Sequence, residues 1–145
     1  MSPLADVRLV LDAPDAVYQP GHELTGRFHV DGAHATDVRS AELSVLWYTA
    51  GKGDEDMAVH YFERHVDEPP AKPLDLRRRC AFATKLPLSP LSYDGEIVKI
   101  CWCVRLRVFL MNGLTTVAET SFRLGNVPAP SGVRKADDGG QSACD

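Results

Sequence analysis

The stretch SYDGEIVKICWCVRLRVFL, residues 92–110, decides the fold. It begins with a Ser-Tyr-Asp-Gly turn and continues as an uninterrupted run from Glu96 to Leu110. Apolar side chains occupy every second position of the run: Val98, Ile100, Trp102, Val104, Leu106 and Val108. The positions between them hold Lys99, Cys101, Cys103, Arg105 and Arg107. A period of two predicts a long β-strand with one face on a core. The pattern indicates an architecture and no particular reaction.

Length and composition predict one globular domain. A chain of 145 residues can bury roughly two thirds of the surface that it exposes when unfolded. Its net charge of −4 gives no general attraction for nucleic acid, so no nucleic-acid partner is expected. The longest apolar run contains Arg105 and Arg107, which predicts no membrane span. Residues 1–6 lack the features of a secretory signal, so we expect a cytoplasmic protein.

The four cysteines do not suggest a metal or redox site. Cys101 and Cys103 lie two apart on one strand, where Cα atoms are separated by about 6.6–6.8 Å. Because their Cβ vectors are parallel, the two cannot bond to each other, and we expect both to be free thiols. Cys80 falls in another strand and Cys144 near the end of the sequence. No C-x-x-C pair or histidine pair completes a zinc site.

Six further runs with the period of a strand precede or follow residues 92–110. These runs lie at about residues 7–11, 24–31, 43–51, 57–66, 80–86 and 116–124. The fourth contains Phe62 and Val66 off parity, which suggests a β-bulge. Asn112-Gly113 predicts a hairpin turn before the last strand. Three prolines in 68–73 predict a loop, because proline cannot donate to a β-ladder.

About seven strands with Pro/Gly turns and no helical pattern predict an all-β protein, an antiparallel β-sandwich of immunoglobulin-like form. We assign the sandwich to residues 1–126. From residue 127 to 145 the sequence has no apolar period and is rich in Pro, Ser, Gly and Asp. This C-terminal tail is predicted to be disordered.

The order of the turn motifs resembles that of an arrestin-like domain. Tyr18-Gln19-Pro20-Gly21 leads to Leu24-Thr25-Gly26, residues 47–53 follow, and Ser92-Tyr93-Asp94-Gly95 precedes the long strand. The resemblance covers residues 5–126 and extends to the arrestin-shaped retromer subunit and the bacterial sporulation-control proteins. It implies a single sandwich of the N-terminal arrestin type that acts as a scaffold or adaptor-type binding module.

The sequence also departs from the arrestins that bind phosphorylated receptors. Those proteins have two sandwiches with a buried charged cluster between them, whereas this sequence has the pattern of one. Receptor desensitisation, clathrin-adaptor binding and the polar-core switch are therefore not carried over, and no functional residue is transferred. A shared fold does not fix a function.

No pattern of residues predicts catalysis, a cofactor or a metal. Asp54-Glu55-Asp56 could offer oxygen ligands to calcium but lacks the spacing of a calcium loop, which favours a solvated turn. The five histidines include no H-x-x-x-H pair and no two at strand spacing with a carboxylate partner. The G-x-S-x-G elbow of serine hydrolases is absent from the sequence. We therefore expect a protein that is not an enzyme and that has no catalytic, cofactor-binding or metal-binding residues.

Two basic sets are the candidate partner-binding residues. One is the row Lys99, Arg105 and Arg107 on the long strand, and the other is the run Arg77, Arg78 and Arg79. The row either pairs with carboxylates on neighbouring strands or lines a face that meets an acidic partner. The run either binds an acidic group or protects a strand edge from aggregation. Cys101 and Cys103, in the middle of the row, predict partial burial of that face.

Two function classes follow from these residues. The first is a protein-interaction module whose partner is unknown and which binds through a sheet face or through strand addition at an edge. The alternative is a self-associating structural protein that forms a homodimer through a sheet face or edge.

Overall fold

The computed structural model describes residues 6–14, 16–31, 38–53, 55–66 and 79–125. These residues form nine strands and no helix. The strands are β1 (Asp6–Leu11), β2 (Val17–Tyr18), β3 (Glu23–Asp31), β4 (Val38–Gly51), β5 (Met57–Val66), β6 (Cys80–Lys85), β7 (Tyr93–Asp94), β8 (Val98–Leu110) and β9 (Thr115–Leu124). The tail 127–145, the proline loop, Arg77, Arg78 and Cys144 lie outside the described residues.

Two sheets form a sandwich. The smaller sheet has the order β1-β3-β6, and the larger has the order β2-β9-β8-β4-β5, with β7 paired to β8 beyond β9. All described pairs are antiparallel except β2 with β9. The predicted all-β sandwich is therefore confirmed, with one short parallel pair that the sequence did not reveal.

Trp102 lies at the centre of the core. Its side chain is fully buried, and its indole Nε1 donates a 2.8 Å hydrogen bond to the Pro90 carbonyl. The ring packs on Phe122 at a centroid distance of 5.8 Å. Other apolar residues of the same β8 face are buried with it: Val104, Leu106 and Val108. The predicted inward face of this strand is confirmed.

Gly26 shows why one core position of β3 has no side chain. A Cβ at this residue would lie 2.7 Å from the Phe82 ring and 2.7 Å from the Val10 carbonyl oxygen. Leu24 and Phe28, on the same side of β3, are fully buried. The glycine allows Phe82 of β6 to enter the core against the backbone of β3.

The predicted β-bulge in β5 is also confirmed. Val45 of β4 pairs with Tyr61 and Leu46 pairs with Val59, so His60 is the extra residue. The His60 Nε2 atom lies 2.7 Å from the Lys85 carbonyl oxygen of β6. This contact joins edge strands of the two sheets and closes that side of the sandwich.

Candidate functional site

The larger sheet has an outer face opposite the core, and the strand register shows which side chains lie side by side on it. Among the cross-strand rows that run from β5 over β4 to β8 are four in succession: Arg64–Glu42–Arg107, Phe62–Ser44–Arg105, Val59–Leu46–Cys103 and Met57–Tyr48–Cys101. The first two rows carry the charges, and the last two are mainly apolar. The outer face therefore combines a charged half with an apolar half.

The predicted basic row does lie on this outer face. Lys99 Nζ is 4.0 Å from Asp94 Oδ1 and 3.4 Å from the Gly95 carbonyl oxygen. Arg105 forms an ion pair with Glu119 of β9. Arg107 is exposed and has no ion-pair partner among the residues described. Carboxylates on neighbouring strands thus satisfy two of the three cations, and Arg107 alone of the three could pair with an outside group.

The predicted basic run is only partly within the described structure. Arg79 is exposed immediately before β6. The strand that it precedes belongs to the smaller sheet, whereas the basic row lies on the larger one. The structure therefore places Arg79 apart from the basic row.

A groove of ≈ 200 Å³ lies on the outer face over β4. Its lining consists of Glu42, Ser44, Leu46, Met57, Val59, Phe62, Arg105 and Arg107. Ser44 is the small residue between Phe62 and Arg105, which leaves room between those two side chains. Three large apolar side chains of β5 remain about half exposed: Met57 at 59%, Val59 at 50% and Phe62 at 51%. One wall is thus apolar and the other is made of arginines.

A second pocket of ≈ 450 Å³ continues the groove toward the β4–β5 turn. The two share Met57 and Arg105, and the second adds the carboxylates of Glu55 and Asp56. One backbone bond and one bond to a side chain hold the turn: Thr49 N donates to the Asp56 carbonyl at 2.9 Å, and Asp56 N donates to Thr49 Oγ1 at 2.8 Å. We call the groove and this pocket together the outer trough.

Three apolar side chains of the outer face are nevertheless buried. Leu46, Cys101 and Cys103 are 1%, 0% and 2% exposed, although none belongs to the core cluster. The predicted burial at the two cysteines is therefore confirmed. The expectation that both are free thiols is wrong for Cys101, which is disulfide-bonded, whereas Cys103 is reduced. The spacing argument excluded only a bond between these two residues and did not exclude a bond to a sulfur elsewhere.

Cys103 should react slowly in the folded protein. Burial, the largest cause, and the Glu119 carboxylate raise the pKa of its thiol from 9.0 to about 11, against the opposing effect of Arg105. At pH 8 this lowers the thiolate fraction by about a hundredfold. We expect iodoacetamide to label Cys103 at least about a hundredfold more slowly in the native protein than in guanidinium, as followed by peptide mass spectrometry. A ratio below about ten would contradict this environment.

The raised pKa of the Cys103 thiol also makes the stability of the fold depend on pH. Because the folded protein holds the Cys103 proton more tightly than the unfolded chain, the contribution is present below pH 9 and is lost as the pH rises toward 11.

Sequence inspection missed a polar cluster on the inward side of β5. Glu63 accepts a hydrogen bond from the Tyr61 hydroxyl at 2.5 Å and lies 2.8 Å from His65 Nε2. His29 lies 3.2 Å from Asp31 in the smaller sheet. Each contact joins one histidine to a carboxylate two residues away, and the signal was the E-x-H and H-x-D spacing in the sequence. No group of three possible metal ligands occurs within the described ranges.

Comparison of sequences does not assign the chain to a family. No protein family and no curated protein matches it. Among solved structures, Spo0M, a sporulation control protein from Bacillus subtilis, superposes with a TM-score of 0.61 at 18% sequence identity. The match covers 87% of this chain and 51% of Spo0M, so the chain spans about half the length of that protein. The fold is arrestin-like.

A second solved structure is similar over a smaller part of its own length. A β-glucosidase from Listeria innocua, in complex with gluconolactone, matches with a TM-score of 0.37 and 12% identity. The match covers 84% of this chain and 16% of the enzyme, and a score this low supports no conclusion.

The described residues include no helix that is long and apolar enough to cross a membrane.

Proposed function

We propose that the protein is a non-enzymatic interaction module that binds a protein partner in the outer trough. One observation carries the proposal: three half-exposed apolar side chains of β5 line the same groove as Arg107, a cation with no ion-pair partner among the described residues. Contiguous exposed apolar surface next to polar groups is typical of binding sites. Arginine is enriched at protein interfaces because its planar guanidinium recognises carboxylates.

The face of the larger sheet is a better site than its β5 edge. Among the described strands β5 pairs only with β4, so its other edge could in principle accept an added strand. However, the bulge at His60 interrupts that edge, and the contact of His60 with Lys85 places a side chain there. Bulges are a common means of preventing strand addition. The geometry therefore favours contact with the face.

The outer face of the smaller sheet is a weaker candidate. Its pocket of ≈ 600 Å³ includes Asp12, Thr25 and Arg27. Thr25 Oγ1 donates to Asp12 Oδ2 at 2.7 Å, and Arg27 Nε lies 3.6 Å from Asp12 Oδ1. Since these polar groups already satisfy one another, they have less to gain from an outside ligand.

A paired substitution tests the proposal in the intact chain. Val59→Asp with Phe62→Asp replaces two half-exposed apolar side chains of the trough and should leave the core unchanged. The matched control is Val10→Asp, because Val10 is 49% exposed on the smaller sheet. In a quantitative affinity capture from the source cell, we expect proteins that bind the wild type to be reduced about tenfold or more by the trough variant and unchanged by Val10→Asp.

Two outcomes would contradict the proposal. Equal recovery of every captured protein by the trough variant would show that the trough does not bind them. A tight dimer in light scattering that becomes a monomer in the trough variant would show that the site joins two copies, which is the self-association alternative. Circular dichroism and urea titration of each variant verify that the fold is retained.

A further inference from the structure

The outer trough carries opposite charges at its two ends. Arg107 stands at one end, next to Glu42 of β4, whereas Glu55 and Asp56 stand at the other, where Asp56 is hydrogen-bonded to Thr49 of the same strand. Thr49 follows Glu42 by seven positions along β4, which corresponds to about 23 Å at the rise of a strand. Between the ends the lining holds the apolar side chains of Leu46, Met57, Val59 and Phe62 together with Arg105, whose charge is paired with Glu119.

We propose that the occupant is an extended segment of a partner protein with a carboxylate at one end, a cation at the other and apolar side chains between. The proposal rests on the function proposed above and specifies its partner. About seven or eight extended residues match the length of the trough. The carboxylate pairs with Arg107, the cation pairs with Glu55 and Asp56, and the apolar side chains cover those of β5.

The width of the trough favours an extended chain over a helix. Its walls are β5 and β8, which lie on either side of β4, so their backbones are about 10 Å apart. The Phe62 and Arg105 side chains reduce that width further. A helix with its side chains is about 10–12 Å across and would not enter.

The concave shape also argues against a second copy of the chain as the occupant. Two copies placed face to face and antiparallel would match Arg107 with the carboxylates of the other trough. Both surfaces are grooves over β4, however, so two copies would meet at their walls and leave the floor at Ser44 and Leu46 without contact. A projecting segment fills the trough, whereas a second trough does not.

Synthetic peptides test the charge pattern on the full-length protein. The probe is an acetylated and amidated octapeptide with two glutamates, then leucine, serine, valine and serine, then two lysines. Two control peptides carry glutamate at both ends or lysine at both ends. By titration calorimetry at low salt, we expect the probe to bind about tenfold more tightly than either control.

Charge reversals in the protein should change the preference in a defined direction. Arg107→Glu should bind the peptide with lysine at both ends more tightly than the probe. Glu55→Lys with Asp56→Lys should prefer the peptide with glutamate at both ends. If these exposed residues served only the fold, their substitution would weaken the binding of all three peptides equally. It would not change which peptide binds most tightly.

Two results would overturn the inference. The first is binding of all three peptides with equal affinity, or no binding of any. The second is an unchanged preference in the charge-reversed proteins. If Val59→Asp with Phe62→Asp still loses captured proteins when the peptides fail, the proposed function stands and this inference alone is wrong.

Discussion

Replacing Trp102 with alanine should lower the free energy of unfolding by about 3–5 kcal/mol. The indole is fully buried between the two sheets and contacts the rings of Phe122 and His60 at centroid distances of 5.8 and 6.1 Å. The substitution leaves a cavity that neighbouring strands cannot close, because each is fixed by its ladder. It also leaves the Pro90 carbonyl without the indole donor. Urea titration followed by circular dichroism measures the loss.

Val117→Ala is the matched control for this substitution. Val117 lies on β9 of the same sheet and is 50% exposed, so its truncation should change stability by less than about 0.5 kcal/mol. Trp102 and Val117 lie in the same sheet and differ in how deeply their side chains are buried. A loss below about 1 kcal/mol for Trp102→Ala would contradict the central position of the indole.

The seven long strands could be predicted because each is long enough to show a period of two. In β8 the pattern identified both faces: Trp102 faces the core and Arg107 faces outward. The strands β2 and β7 have two residues each, and so few residues show no period. The partner of β2 is distant in sequence, since Tyr18 pairs with Leu124, and β7 pairs with the nearby Lys99 and Ile100 through only two residues.

The candidate site could be predicted only in part. The basic row was evident from β8 alone, because its members alternate along one strand. The apolar wall was not, since Phe62 has the opposite parity to Met57 and Val59. The bulge at His60 shifts the parity and brings the three onto one face, with Phe62 opposite Ser44 and Val59 opposite Leu46. A suspected bulge was visible in the sequence, but its position and its consequence for the surface required the pairing with β4.

Gly51→Ala should lower the free energy of unfolding by about 2–5 kcal/mol through a backbone effect. Gly51 ends β4 with a φ of 130°, a conformation that side chains rarely adopt. A Cβ there would lie 2.3 Å from the Ile97 carbonyl oxygen and 3.1 Å from the Val98 Cα. Ile97 also accepts a 3.0 Å hydrogen bond from Lys52 N, so its carbonyl cannot move away without breaking that bond.

Gly53→Ala separates the cost of the left-handed backbone from the cost of the steric contact, because Gly53 lies in the same turn. Its φ is 94°, but no atom lies within 4 Å of the position of an added Cβ. It should therefore cost only the left-handed strain, about 1–2 kcal/mol. If the two alanine variants lose equal stability in urea titration, the close approach of Ile97 to Gly51 does not contribute. If Gly51→Ala loses more, the contact between the β4–β5 turn and the start of β8 fixes the end of the sheet where Glu55 and Asp56 are placed.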